Sequence, residues 1–224
     1  MIKRYIIPFV LFLLTGCGIS AQTNDAQLWL GVNIEKRLTP KLSIQFAEEL
    51  RMNENITEAG TIFSDLGVNY RILKGLTASA NYRFINKRQL NNTYDNRHRY
   101  YFGLTYKYVI KPVSLSVRAL YQSQYTDLLT SENGKIPENY ERTRLKLGFN
   151  FGKPVRPFVS AEMFIPLSGH NNSIMIDCMR YTAGLEYKFN ARHSIDGYYL
   201  IQKEMNVADP KTDFVIGLGY SFLF

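Results

Sequence analysis

From Phe214 to the final residue every second position is apolar. Phe214, Ile216, Leu218, Tyr220, Phe222 and Phe224 are apolar, while Asp213, Gly217, Gly219 and Ser221 stand between them. Successive side chains of a β-strand point to opposite faces, so a period of two puts all six apolar residues on one side. Three further segments repeat the pattern. Segment 97–108 sets Tyr100, Phe102, Leu104, Tyr106 and Tyr108 against Arg97, Arg99, Gly103, Thr105 and Lys107. Segment 142–151 sets Leu145, Leu147, Phe149 and Phe151 against Arg142, Arg144, Lys146, Gly148 and Asn150. In 179–189, Met179, Tyr181, Ala183, Leu185, Tyr187 and Phe189 oppose Arg180, Thr182, Gly184, Glu186 and Lys188. Looser versions occupy 27–37, 42–51, 61–72, 76–86, 113–125, 155–165 and 194–204. A helix would need apolar recurrence at three and four residues, which these segments lack.

Strands with one apolar and one charged face fit a wall between lipid and a polar lumen. Composition agrees. The 224 residues are 46% hydrophobic and 14% aromatic, with 16 Tyr and 14 Phe, yet the mean hydropathy is only −0.20. That is too polar for a helical membrane protein and unusually aromatic for a soluble one. The net charge of +8 is spread along the chain without a basic–aromatic recognition motif, which argues against nucleic acid as a partner.

The first residues read as an export signal. Lys3 and Arg4 precede an apolar run from Tyr5 to Leu14, and small residues Gly16, Gly18, Ser20 and Ala21 follow. The run is about 10 residues, against the roughly 20 that span a bilayer. The expected organisation is a cleaved signal peptide at 1–21 and a single barrel domain at 22–224. Leu14-Thr15-Gly16-Cys17 also reads as a lipobox. Cleavage after Ala21 is preferred, because a barrel already anchored in the membrane gains little from an acyl chain. Cys178 then has no partner in the mature chain and is expected as an unpaired thiol at a loop–strand junction.

Connections alternate in length. Residues 39–41, 73–75, 111–112, 152–154 and 190–193 are short, whereas 52–60, 87–96, 126–140, 166–178 and 205–212 are longer and polar. Outer-membrane barrels have tight periplasmic turns and longer external loops, so the rhythm puts Phe224 at the periplasmic end. It also gathers Tyr106, Tyr108, Phe149, Phe151, Tyr187, Phe189, Phe222 and Phe224 into one inner aromatic girdle. The predicted fold is therefore all-β: an antiparallel transmembrane barrel of about 10–12 strands in the bacterial outer membrane. One count does not close. The segments number about 11, where single-chain bacterial barrels have an even number, and 27–37 would begin externally.

The lumen-facing parity holds Arg51, Arg83, Arg97, Arg99, Arg118, Arg142, Arg144 and Arg180 in the outer half, with Glu49, Asp65, Glu162, Glu186 and Glu204 available to pair with them. Arginine stays charged in a confined space and pairs planar carboxylates bidentately. These residues read either as packing ions of a filled interior or as the lining of a path for small anionic solutes. A membrane hydrolase is the third class. It would need a nucleophile and a base at one interface. His98 falls on the lipid-facing parity and His193 in a periplasmic turn, where a solvated loop role is expected. His170, within Ser168–Ser173, has hydroxyls nearby but lacks the His-x-Ser-Asn-Gly pattern of outer-membrane phospholipases. No enzyme, cofactor or metal site is expected; His170, Asp177 and Cys178 are too dispersed to hold zinc.

The stretch Glu48-Glu49-Leu50-Arg51-Met52-Asn53-Glu54-Asn55, then Asn81-Tyr82-Arg83-Phe84, Arg97-His98-Arg99 and Trp29, resembles a bacterial outer-membrane family catalogued as domain of unknown function 2490. The resemblance implies an outer-membrane location and a small barrel, and it carries over no activity. The expected partners are outer-membrane lipid, a small anionic solute and, during insertion, the barrel-assembly machinery. For that machinery Tyr220, Phe222 and Phe224 resemble the C-terminal recognition signal. A monomer is expected. The expected role is a narrow porin-like or solute-binding barrel, or alternatively a sealed barrel displaying loops 126–140 and 166–178.

Overall fold

The computed structural model describes residues 23–89, 91–126, 136–168 and 175–224. Residues 1–22, with the expected signal peptide and Cys17, lie outside them, as do His170 and the middles of the two longest loops. The described residues form eleven strands: β1 (Thr23–Arg37), β2 (Leu42–Asn53), β3 (Glu58–Leu73), β4 (Leu76–Arg88), β5 (Tyr94–Ile110), β6 (Val113–Tyr125), β7 (Glu138–Phe149), β8 (Val155–Pro166), β9 (Cys178–Lys188), β10 (His193–Glu204) and β11 (Lys211–Leu223). Each pairs with its neighbour in sequence, antiparallel, and β1 pairs with β11 to close the barrel.

That closure is parallel, from Thr23 beside Lys211 to Glu35 beside Leu223. In an up-and-down meander an odd number of strands brings first and last together pointing the same way. The count of about 11 segments therefore stands, against the even number usual in single-chain bacterial barrels, and 27–37 is part of a regular wall strand. The register keeps parity across the seam: Trp29 lies beside Gly217 on the lumen side and Leu30 beside Leu218 on the lipid side. Phe224 extends the seam past β11. Its N–H donates to the Glu35 carbonyl at 2.9 Å, and its carbonyl accepts from the Arg37 N–H at 3.0 Å.

The two faces invert the pattern of a soluble protein. Phe102 is 58% and Leu218 55% exposed on the outside, whereas Asp65 is 2% and Glu162 7% exposed on the inside. So much outward apolar area is stable only against lipid. Inside, Trp29, Leu200 and Val215 form the buried apolar cluster, with Tyr198 against it. At the end bearing the short turns, Phe149 stacks on Phe151, Tyr187 meets Phe189, and His193, Phe222 and Phe224 stack in sequence. At the other end Tyr82, Phe84, His98, Tyr100 and Tyr125 make an outer group.

Several strands run further than their alternation implied. The β2–β3 connection is only residues 54–57, not 52–60. It turns through three successive non-glycine residues with positive φ: Glu54 (51°), Asn55 (57°) and Ile56 (68°). Polar residues at strand ends beyond the lipid look like loop in sequence, yet they continue the ladder and satisfy its backbone groups.

Candidate functional site

The lumen is where the charged faces of the strands converge. Each strand contributes every second residue, so Arg97 and Arg99 on β5, and Arg142 and Arg144 on β7, turn inward together. The inter-strand register then sets which of them abut. One row runs Arg118, Arg144, Glu162, Arg180, Gln202, Asp213 across β6 to β11, each residue directly opposite the next. A second runs Asp65, Arg83, Arg99, Gln124, Glu138 across β3 to β7. Each row therefore contains two arginines side by side, a placement that costs stability unless carboxylates or a ligand offset it.

The carboxylates offset only part of that charge. Glu162 Oε1 accepts from Arg118 Nη2 at 2.5 Å and from Arg142 Nη2 at 3.0 Å. Asp65 accepts from Arg83 Nε at 2.7 Å, from Asn81 Nδ2 at 3.1 Å and from the Tyr101 hydroxyl. Glu49 accepts from Arg51 Nε at 2.5 Å. Arg99 and Arg180 reach carboxylates only through neutral amides. Arg99 Nη2 donates to Gln124 Oε1 at 2.5 Å, and Gln124 Nε2 to Glu138 at 3.2 Å. Arg180 Nε donates to Gln202 Oε1 at 2.7 Å, and Gln202 Nε2 to Asp213 at 2.8 Å. Among the described residues Arg99, Arg144 and Arg180 have no carboxylate within ion-pair distance.

Aromatic rings hold the guanidinium groups flat. The Arg51 guanidinium lies 3.7 Å from the Trp29 ring, Arg83 3.7 Å from Phe63, Arg142 4.3 Å and Arg180 4.7 Å from Phe164. Trp29 is itself oriented by a hydrogen bond from Nε1 to Gln27 Oε1 at 2.9 Å. Of these four, Arg51, Arg83 and Arg142 already donate to Glu49, Asp65 and Glu162, and Arg180 is the ring-packed one without a carboxylate at ion-pair distance among the described residues.

Two adjoining cavities lie in the lumen, apart from a smaller one of about 190 Å³ beside the β1–β2 turn. The central one, about 380 Å³, is lined by eight cationic residues (Arg51, Arg83, Arg99, Arg118, Arg142, Arg144, Lys146, Arg180) and three acidic ones (Glu49, Glu162, Asp196). That cationic excess on a confined lining creates a site of positive potential. The second, about 540 Å³, lies at the periplasmic end and is lined by Lys107, Lys111, Arg156 and Lys188 beside Glu186 and Asp196. Lys146, Phe158 and Asp196 line both. Leu120, Gln122 and Leu200 are buried in the wall of the central cavity, and Gln124, at the next inward position of β6, is buried beyond it towards the long-loop end.

Of the residues singled out from sequence, Arg51, Arg83, Arg99, Arg118, Arg142, Arg144, Glu162 and Arg180 line the central cavity, and Glu186 lines the periplasmic one. Arg97 stands nearer the external rim, opposite Ile85, with its buried Nε unpartnered among the described residues. Glu204 lies at the external end of β10 and Asp65 behind Arg83. The amides Gln124 and Gln202 were not singled out, although both share the parity of the arginines. His98 Nδ1 is 2.7 Å from the Tyr82 hydroxyl on the lipid face. His193 Nδ1 is 2.7 Å from the Tyr220 hydroxyl in the inner girdle, a packed role in place of the solvated one expected. Cys178 is a free thiol at the start of β9.

No curated protein sequence matches the chain. Among solved structures, the NanC porin aligns over 88% of this chain and 98% of its own, with 12% identity and a TM-score of 0.56. The β domain of the Bordetella autotransporter BrkA aligns over 82% of each chain, with 11% identity and a TM-score of 0.48. An anion-selective porin from Comamonas acidovorans aligns over 81% of this chain and 53% of its own, with 11% identity and a TM-score of 0.40. At these identities the likeness to the NanC porin is one of fold. A family model described as "Protein of unknown function (DUF2490)" matches residues 26–213, from β1 into β11. The chain belongs to the DUF2490 family.

Proposed function

We propose that this chain is a bacterial outer-membrane barrel that binds small anions in its central cavity and passes them in the manner of a narrow porin. The observation that carries the reading is the set Arg99, Arg144 and Arg180. They face a cavity of about 380 Å³ with no carboxylate within ion-pair distance among the described residues. Internal packing alone would pair them, since a buried charge without a partner is costly. An anion entering the cavity supplies the missing charge, and Lys107, Lys111, Arg156 and Lys188 at the periplasmic mouth raise its local concentration. The fold likeness to a porin supports the same class. The proposed role is binding and passage, not catalysis: of the described histidines, His98 and His193 are both held by tyrosine hydroxyls in the aromatic girdles.

The test is conductance of the purified barrel in planar bilayers, beside titration calorimetry with inorganic phosphate and a small dicarboxylate. Wild-type protein is expected to prefer anions, and Arg144→Gln with Arg180→Gln to weaken both preference and binding. Folded protein that neither binds nor conducts would overturn the reading. A second reading, a sealed barrel that presents loops 126–140 and 166–178, is favoured by the burial of Gln124, held between Arg99 and Glu138 beyond the central cavity. It predicts that deleting the loops removes the protein's cellular effect while lumen charge changes leave it intact.

A further inference from the structure

The lipid face of β2 carries a carboxylate. Glu48 falls on the outward parity, with Ile44 and Phe46 on one side along the strand and Leu50 and Met52 on the other. It stands directly opposite Val32 on β1 and Ser64 on β3. The Ser64 hydroxyl, on the same outward parity, donates to Glu48 Oε1 at 2.6 Å. Two polar side chains thus sit together inside the apolar band of the barrel wall. A second outward carboxylate, Glu141, differs in depth. It is three residues from the start of β7, bonded to Thr143 Oγ1 at 2.6 Å, near enough to the rim for interfacial water. Glu48 lies further from the rim, the Ser64 hydroxyl meets only one of its two carboxyl oxygens, and an ionisable group at mid-bilayer depth marks a functional contact by default.

Acyl chains supply no donor or acceptor. A second copy of this chain does, and at the right depth. Barrels enter the membrane in one orientation, so two copies related by a two-fold axis along the membrane normal bring Glu48 against its own equivalent. One carboxyl, protonated, then donates to the carboxylate of the other, and each Ser64 hydroxyl fills a remaining acceptor position. The flanks complement one another under the same rotation, which sets one flank of each copy against the opposite flank of the other. On the β1 side of Glu48 the wall is concave. A groove of about 680 Å³ there is lined in part by Leu30, Val32 and Leu50. On the β3 side Leu66 projects, 58% exposed. We infer that the outer surface of β1–β3, centred on the Glu48–Ser64 pair, is a self-association seam that joins two copies of this barrel within the membrane. This departs from the monomer that the sequence implied, and it is independent of what the lumen carries.

The seam is tested by cross-linking the folded barrel in phosphatidylcholine vesicles. Cys17→Ser with Cys178→Ser leaves a single introduced thiol, placed by Val32→Cys beside the intact Glu48, or by Leu104→Cys on β5 as a control on another part of the wall. A short bismaleimide should give dimers from Val32→Cys and few from Leu104→Cys. Adding Glu48→Leu should lower the dimer yield at least tenfold, while Glu48→Gln, whose amide can pair with its own equivalent, retains it. Heat-modifiable gel mobility confirms that each variant is folded, and Ser64→Ala serves as a second probe should Glu48→Leu fail to fold. Equal yields at the two thiol positions would overturn the proposal. So would a yield unmoved by Glu48→Leu or, where that variant fails to fold, by Ser64→Ala.

Discussion

In Glu162→Ala, the Nη2 groups of Arg118 and Arg142, 2.5 and 3.0 Å from Glu162 Oε1, lose their shared carboxylate. The three side chains are 21%, 12% and 8% exposed, so solvent screens the interaction little. The position is also hemmed in by register, with Arg144 opposite on β7 and Arg180 opposite on β9. Removing one partner of a buried ion pair costs about 3–5 kcal/mol, chiefly because the charges left behind stay buried. Glu162→Gln keeps the volume and one acceptor oxygen, so it should cost about half as much, near 2 kcal/mol. The assay is equilibrium urea unfolding of the barrel in lipid vesicles, followed by fluorescence of Trp29. The chain has one tryptophan, and it lines the same cavity. Glu162→Ala and Arg142→Leu combined should cost less than the sum of the two single changes, since each removes part of the other's penalty. If both Glu162 variants unfold within about 0.5 kcal/mol of the parent, the size of an ordinary surface change, the carboxylate is not what offsets the arginines.

Two further changes probe the wall and its closure. A Cβ at Gly217 would lie 2.0 to 2.4 Å from Tyr198 ring atoms. Gly217→Ala should therefore cost about 1–3 kcal/mol in the same titration, and Tyr198→Ala should largely abolish the effect of adding that methyl group. Deleting Phe224 removes the two hydrogen bonds that tie it to Glu35 and Arg37 at the parallel seam, about 1–3 kcal/mol in all. The fraction of heat-modifiable folded barrel in cells should fall while the amount exported stays constant. An equal fall in export would refute an assembly role for the terminal residue.

Much of this molecule was legible along single strands. The alternation in β5, β7, β9 and β11 separates lipid face from lumen face without reference to any other strand, because the pleat alone sets which way each side chain points. The inward arginines, the aromatic group and the placing of Phe224 at the end that bears the short turns all follow from that and from turn lengths. Where a strand's outward face carries a polar residue, as β2 does at Glu48 and β3 at Ser64, the pattern is only loose in sequence. Those residues go unremarked until the neighbouring strands show where they stand.

What the sequence by itself determined is therefore the class of fold and the face of each residue, since both depend on local periodicity. The tertiary structure alone decided which residues meet. Register between strands depends on turn geometry, on irregularities such as those at Arg51/Met52 and Arg71/Leu73, and on how the ring closes. That register sets Arg144 between Arg118 and Glu162, joins Arg99 to Glu138 through Gln124, and places Ser64 against Glu48. The parallel β1–β11 seam is of the same kind. An odd number of strands can close only that way, and the parity-preserving register across it keeps one face of the ring in lipid and the other around the arginines.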